Sequence, residues 1–155
     1  MGAGSCRIDL IDETEGAPLD RERIQRVVDA ALAEEGMTGC ALTVLIVDDA
    51  ESARLHREHF GDPDPTDVMT FPDGSVDPQN GLTLLGDLAV GAEVAVRAAA
   101  DRGRRATDEL TLYVLHGLMH IIGYDDLDPA ERQEMWDAQR RILAGVGIEL
   151  EAEPS

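Results

Sequence analysis

His116-Gly117-Leu118-Met119-His120-Ile121-Ile122-Gly123-Tyr124-Asp125-Asp126 is the stretch from which the rest of the chain is read. Two histidines four residues apart lie on one face of a helix, one turn from each other, so both imidazoles can hold the same cation. Gly123 then permits a left-handed turn that a side chain would oppose. That reversal swings Asp126 back toward the two rings. The pattern H-x3-H-x2-G-x2-D therefore offers three ligands, His116, His120 and Asp126, and leaves room for a water. HxxxH alone is a weak signal, because a histidine on a helix usually packs or faces solvent; the glycine and the acid at these spacings make it specific. The chain has four histidines, and half of them fall at ligand spacing.

The same spacing occurs in the metzincin pattern, where H-E-x-x-H precedes G-x-x-H. Position 117 is Gly here, where a zinc protease carries the Glu that acts as general base. Peptide hydrolysis by that route is therefore disfavoured. Glu109 precedes His116 by two turns on about the same face. It offers either a hydrogen bond to an imidazole or, more blandly, an acid favoured by the dipole at a helix start.

Outward from this stretch, strands lie mainly in the first half of the chain and helices in the second. Leu110, Val114, Gly117, Leu118 and Ile121 turn one face of the histidine-bearing helix to the core, and Asp128-Pro129-Ala130-Glu131 starts another that runs to about Ala144. Beyond it an acidic tail is expected to fray. Toward the N-terminus, Asp20 caps a helix whose apolar residues Ile24, Val27, Val28, Ala31 and Leu32 keep helical spacing until Gly36. Cys40 to Val47 is β-branched and short, as a buried strand is. Arg7 to Ile11, Asp67 to Phe71 and Leu84 to Val90 read as further strands, the last two an antiparallel pair around a turn-rich loop. Helices are expected over Ala53 to Phe60 and Glu93 to Ala100. The expected architecture is a single α+β domain over residues 1–155, a small mixed sheet of about four strands packed with about five helices, with a zincin-like metal site on a central helix.

Composition narrows the function classes. The 155 residues suffice for one core, and with 3% aromatic residues that core must be aliphatic. All 13 basic residues are Arg, set against 32 acids, for a net charge of −19. Such a charge repels phosphate backbones unless the arginines cluster, so non-specific nucleic-acid binding and DNA are disfavoured. Arg97, Arg102, Arg104 and Arg105 form the one basic cluster, either a steering patch for RNA or a solvated helix face. No aromatic platform for stacking bases is evident. Cys6 and Cys40 lack CxxC spacing and read as reduced thiols of a cytoplasmic protein. No apolar run approaches the roughly 20 residues of a membrane span. The acidic N-terminus shows no signal peptide, and Gly2 is set aside as an acylation start because position 6 is Cys.

With these residues in view, the sequence resembles the YbeY family of metal-dependent endoribonucleases linked to ribosomal RNA maturation. The family signature H-G-x-L-H-x-x-G-Y-D-H is similar to residues 116–126. Its segment P-T-D-V-L-S-F-P resembles Pro65-Thr66-Asp67-Val68-Met69-Thr70-Phe71-Pro72, and L-G-D-I-x-I resembles Leu85-Gly86-Asp87-Leu88-Ala89-Val90. The resemblance implies an RNA phosphodiester hydrolase with one zinc ion, acting on ribosomal RNA or a ribosomal subunit. Two departures stand out. The family's third ligand is His and the matching residue is Asp126; carboxylate is a legitimate zinc ligand, and a two-histidine, one-carboxylate set also suits Fe(II) and other divalent metals. The family's Arg before P-T-D falls on Phe60, which cannot grip a phosphate. Arg57, one turn earlier, is the candidate replacement, with a solvated surface as its alternative; His56 and His59 read as surface histidines. In the hydrolytic reading His116, His120 and Asp126 act through a metal-bound water. Two alternatives stay open: a ribosome-associated binding module with a structural metal, which Asp125 or Tyr124 would complete, and a metal-dependent hydrolase of another substrate.

Overall fold

A computed structural model describes residues 5–151; residues 1–4, Gly2 among them, and residues 152–155 lie outside that span. Four strands, β1 (Arg7–Asp12), β2 (Cys40–Val47), β3 (Val68–Pro72) and β4 (Thr83–Gly91), form one sheet in the order β1-β2-β4-β3. β1, β2 and β4 run parallel, while β3 lies at the edge, antiparallel to β4, with Val68 opposite Val90 and Phe71 opposite Asp87. Five helices complete the α+β fold: α1 (Arg21–Glu34), α2 (Asp49–Phe60), α3 (Ala92–Arg102), α4 (Ala106–Ile121) and α5 (Pro129–Ala144). None of them is long and apolar enough to cross a membrane.

The helix starts follow their capping acids, whose carboxylates satisfy backbone N–H groups that the first turn leaves unpaired. Asp20 accepts from the Arg23 amide at 3.1 Å, and Asp128 from that of Glu131 at 2.8 Å. α2 begins at Asp49 rather than at Ala53, because Asp48 accepts from the Glu51 amide at 2.9 Å and caps a turn the apolar pattern does not reveal. β2, flanked on both sides by parallel strands, is buried at Cys40, Leu42, Val44, Ile46 and Val47, which accounts for its nearly continuous apolar sequence.

α4 is the centre of the molecule. It packs against α1, α3, α5, β3 and β4, and burial extends around most of its circumference from Glu109 to Met119, well beyond the single face expected. Its Leu110, Leu115 and Leu118 are fully buried, each stabilising the fold by roughly 1.5–3 kcal/mol. The site residues on α4 thus stand on the most constrained element of the fold.

The segment after α5 corrects the expectation of a frayed tail. Val146, Ile148 and Leu150 are all buried, and Leu150 accepts from Arg140 Nε at 3.0 Å. Trp136 Nε1 donates to the Glu151 carbonyl at 2.8 Å, and the Glu151 carboxylate pairs with Arg104. An apolar residue at every second position gives this strap an inner face despite its acids.

Both cysteines are buried and unpaired. Burial pushes the Cys6 thiol up to about 12 and raises that of Cys40 in the same direction. At pH 8 about one Cys6 in ten thousand is then a thiolate, the reactive form. Neither thiol should react with a thiol-specific disulfide reagent in the folded protein, and both should react promptly once it is unfolded in denaturant.

Candidate metal centre

The three residues singled out by spacing converge. His116 Nε2 and His120 Nε2 lie 3.2 Å apart, and His120 Nε2 is 3.6 Å from Asp126 Oδ2. The ligand atoms of all three fall within 4.8 Å of one another, and each residue is half-buried. Tetrahedral zinc with bonds of about 2.0–2.1 Å sets neighbouring ligand atoms roughly 3.3 Å apart. The two shorter separations match those edges. The imidazole planes stand at 86° with centroids 4.7 Å apart, as two rings aimed at one point from successive turns must.

Local sequence builds this geometry in two steps. α4 holds the histidines one turn apart. Gly123 then adopts φ 115°, and the Tyr124 amide donates to the Met119 carbonyl at 2.9 Å, reversing the chain so that Asp126 returns over His120. Gly117, between the histidines, sits where a Cβ would come within 2.9 Å of both Leu88 and Val68. A side chain at the position that bears the general base in a zinc protease would therefore have to displace Leu88 and Val68. α4 lies directly on β3 and β4 there.

A residue that sequence spacing did not reveal orients the first ligand. Gln139 Oε1 lies 2.7 Å from His116 Nδ1. An amide oxygen only accepts, so Nδ1 carries the proton and the Nε2 lone pair is left for a cation. Gln139 is 1% exposed on α5, amid Met135, Ala138, Ile142 and Leu143. A lone amide in an apolar helical stripe was its signal. Gln139→Ala should lower metal affinity by roughly 10–100-fold while the protein still folds, as read by competition with a chromogenic chelator.

Glu109 does not touch either histidine. It is fully buried and pairs with two arginines, Arg102 Nη1 at 2.7 Å and Arg104 Nη1 at 2.8 Å. The basic cluster is thereby divided: Arg97 pairs with Asp49 at 2.6 Å, whereas Arg102 and Arg104 line a cavity of about 320 Å³ together with His116, Asp126, Arg132 and Trp136. Trp136 supplies that cavity with an aromatic face that the sequence pattern did not suggest. Arg57 is exposed on α2 and is not among the residues of this cavity. His56 bonds the Asp64 carbonyl at 2.7 Å, His59 packs edge-on to Phe71, and Phe60 is 55% exposed. Asp125 and Tyr124 face a different cavity, shared with Glu35 and Glu134, and neither belongs to the three-residue group.

A two-histidine, one-carboxylate group on a helix laid against a mixed sheet defines a zincin-like class of candidate metal protein. Residues 10–147 match the family model described as endoribonuclease YbeY. The chain is 38% identical over 152 residues to the endoribonuclease YbeY of Thermobifida fusca, covering 94% of this chain and 97% of that protein. It is 42% identical over 129 residues to that of Alkalilimnicola ehrlichii, covering 80% and 76%. A Thermotoga maritima protein known from its solution structure shares the fold, with a TM-score of 0.61 at 22% identity over 90% of this chain and 88% of that one. The chain belongs to the YbeY family.

Proposed function

We propose that this protein is a metal-dependent endoribonuclease that hydrolyses RNA phosphodiesters in ribosomal RNA maturation. In this reading residues 1–155 work as one domain in the cytoplasm, with one zinc ion held by His116, His120 and Asp126. The observation that carries the reading is the convergence of three ligand atoms, two from α4 and one from the turn after it, in a chain whose relatives bear the name endoribonuclease. When bound, the ion supplies Lewis acidity and a water acidified toward neutral pH. The chain's own residues orient and enclose: Gln139 fixes the His116 tautomer, Asp126 contributes the negative ligand, and Trp136 gives a nucleobase a face to stack on.

Three protein ligands with no fourth from Asp125 or Tyr124 favour hydrolysis over a structural metal, since structural zinc is usually held by four. The test is cleavage of single-stranded ribosomal RNA by the purified protein. Chelator-stripped protein should be inactive, and zinc at one equivalent should restore cutting. Protein that holds one zinc per chain and leaves RNA intact would overturn the reading in favour of a binding module.

A further inference from the structure

We propose that Arg102, held in place by the buried Glu109, is the arginine that receives a substrate phosphate beside the candidate metal centre. This rests on the endoribonuclease reading and assigns to α3 the role that Phe60 cannot fill on α2. Four observations carry it.

The first is place. Arg102 and Arg104 line the same cavity as His116 and Asp126, whereas Arg57 does not. The second is preorganisation. The Glu109 carboxylate is fully buried and engages one arginine with each oxygen. A buried carboxylate is costly unless it is fully paired, so this one holds its two guanidinium groups in a fixed fork. The third is free donor capacity. Arg102 is 54% exposed at its side chain, and one of its N–H groups meets Glu109. Its Nε and Nη2 hydrogens have no other hydrogen-bond partner among the described residues. Arg104, in contrast, is 11% exposed and also holds Glu151, which makes it the anchoring member of the pair.

The fourth is charge. Three arginines line the cavity against three carboxylates, with Glu109 behind them, for a net of −1. A divalent cation at His116, His120 and Asp126 turns that to about +1, so the cavity attracts an anion once the metal is present. A guanidinium with Nε and Nη2 free along one edge then meets two phosphate oxygens in a geometry that an ammonium cannot reproduce.

The test is equilibrium binding of a fluorescent, cleavage-resistant single-stranded oligoribonucleotide to zinc-loaded protein across a range of salt. Arg102→Ala should bind about tenfold more weakly, the value of one charge-assisted contact. It should also reduce the slope of log affinity against log salt by about 0.7, the share of one phosphate contact on a single strand. Arg102→Lys should keep the slope and recover part of the affinity. Zinc stoichiometry should not change, because Arg102 is not a ligand; the melting temperature of Arg102→Ala should fall, because the buried Glu109 loses one of its two partners, so binding is compared well below the melt. Parent-like affinity and slope in Arg102→Ala would overturn the assignment, as would transfer of the loss to Arg57→Ala or Arg132→Ala. A zinc-loaded parent that neither binds nor cuts RNA would instead bring down the endoribonuclease reading, a result distinct from a silent Arg102→Ala in an active parent.

Discussion

His120→Ala is expected to lose more than about 100-fold in metal affinity and all measurable RNA cleavage, while melting within a few degrees of the parent. Removing the orienting partner of a metal ligand already costs roughly 10–100-fold in affinity; removal of a ligand itself must exceed that. His120 stands between the other two groups, 3.2 Å from His116 Nε2 and 3.6 Å from Asp126 Oδ2, so its removal takes out the central member of the group and leaves only His116 and Asp126 to hold an ion. Its side chain is 28% exposed at the end of α4, so truncation leaves no closed cavity in the core. Zinc per chain by elemental mass spectrometry, together with a thermal melt, separates the two effects. Asp126→Ala should follow the same pattern. If either variant retains one tightly bound zinc, its residue is not a ligand and the site must be drawn differently. If zinc falls but cleavage persists, the metal is structural and the nuclease chemistry resides elsewhere.

How much of this was legible beforehand depends on the distance over which each feature is determined. β2 was readable to the residue because its eight apolar or β-branched positions are flanked by breakers, and α5 because Asp128 and Pro129 form its cap in adjacent positions. The metal group was readable for the same reason: a helical period and one glycine turn place His116, His120 and Asp126 together with no help from the rest of the fold. The start of α2 was missed because Asp48-Asp49 reads as loop until the Asp48 cap is seen. Gln139 is not legible in the sequence, because its partner is 23 residues away and only the packing of α5 on α4 brings them into contact. The strap through Val146, Ile148 and Leu150 was hidden under the acidic composition of the C-terminal segment. Arg102, Arg104 and Glu109 are plain in the sequence as charges, but their direction is not. It depends on the turn between α3 and α4, which folds the arginines inward over the first turn of the central helix.

That inward ion triad yields the second large effect. Glu109→Gln should destabilise the protein by about 3 kcal/mol, near the low end for breaking a buried ion pair. In a chain of this length that is a fall of roughly 6–12 °C in melting temperature. The side chain keeps its shape and one accepting oxygen, so packing is preserved and the loss is electrostatic: two guanidinium groups face each other without the carboxylate that separated them. Arg102 is half-exposed and can turn into water, and Arg104 retains Glu151, which holds the cost below the upper end. The compensating change follows from the same geometry. Adding Arg102→Gln to Glu109→Gln removes one of the unpaired cations and should recover about 1 kcal/mol, a coupling within the range for residues in direct contact. Equal melting temperatures for the parent and Glu109→Gln would show that the carboxylate contributes no net stabilisation, and the rigid fork inferred for Arg102 would lose its anchor. A stability loss without recovery in the double variant would place the strain on Arg104 alone. The triad stands at the start of the helix that presents His116 and His120, so the same carboxylate that stabilises the fold also fixes the position of positive charge beside the candidate metal centre.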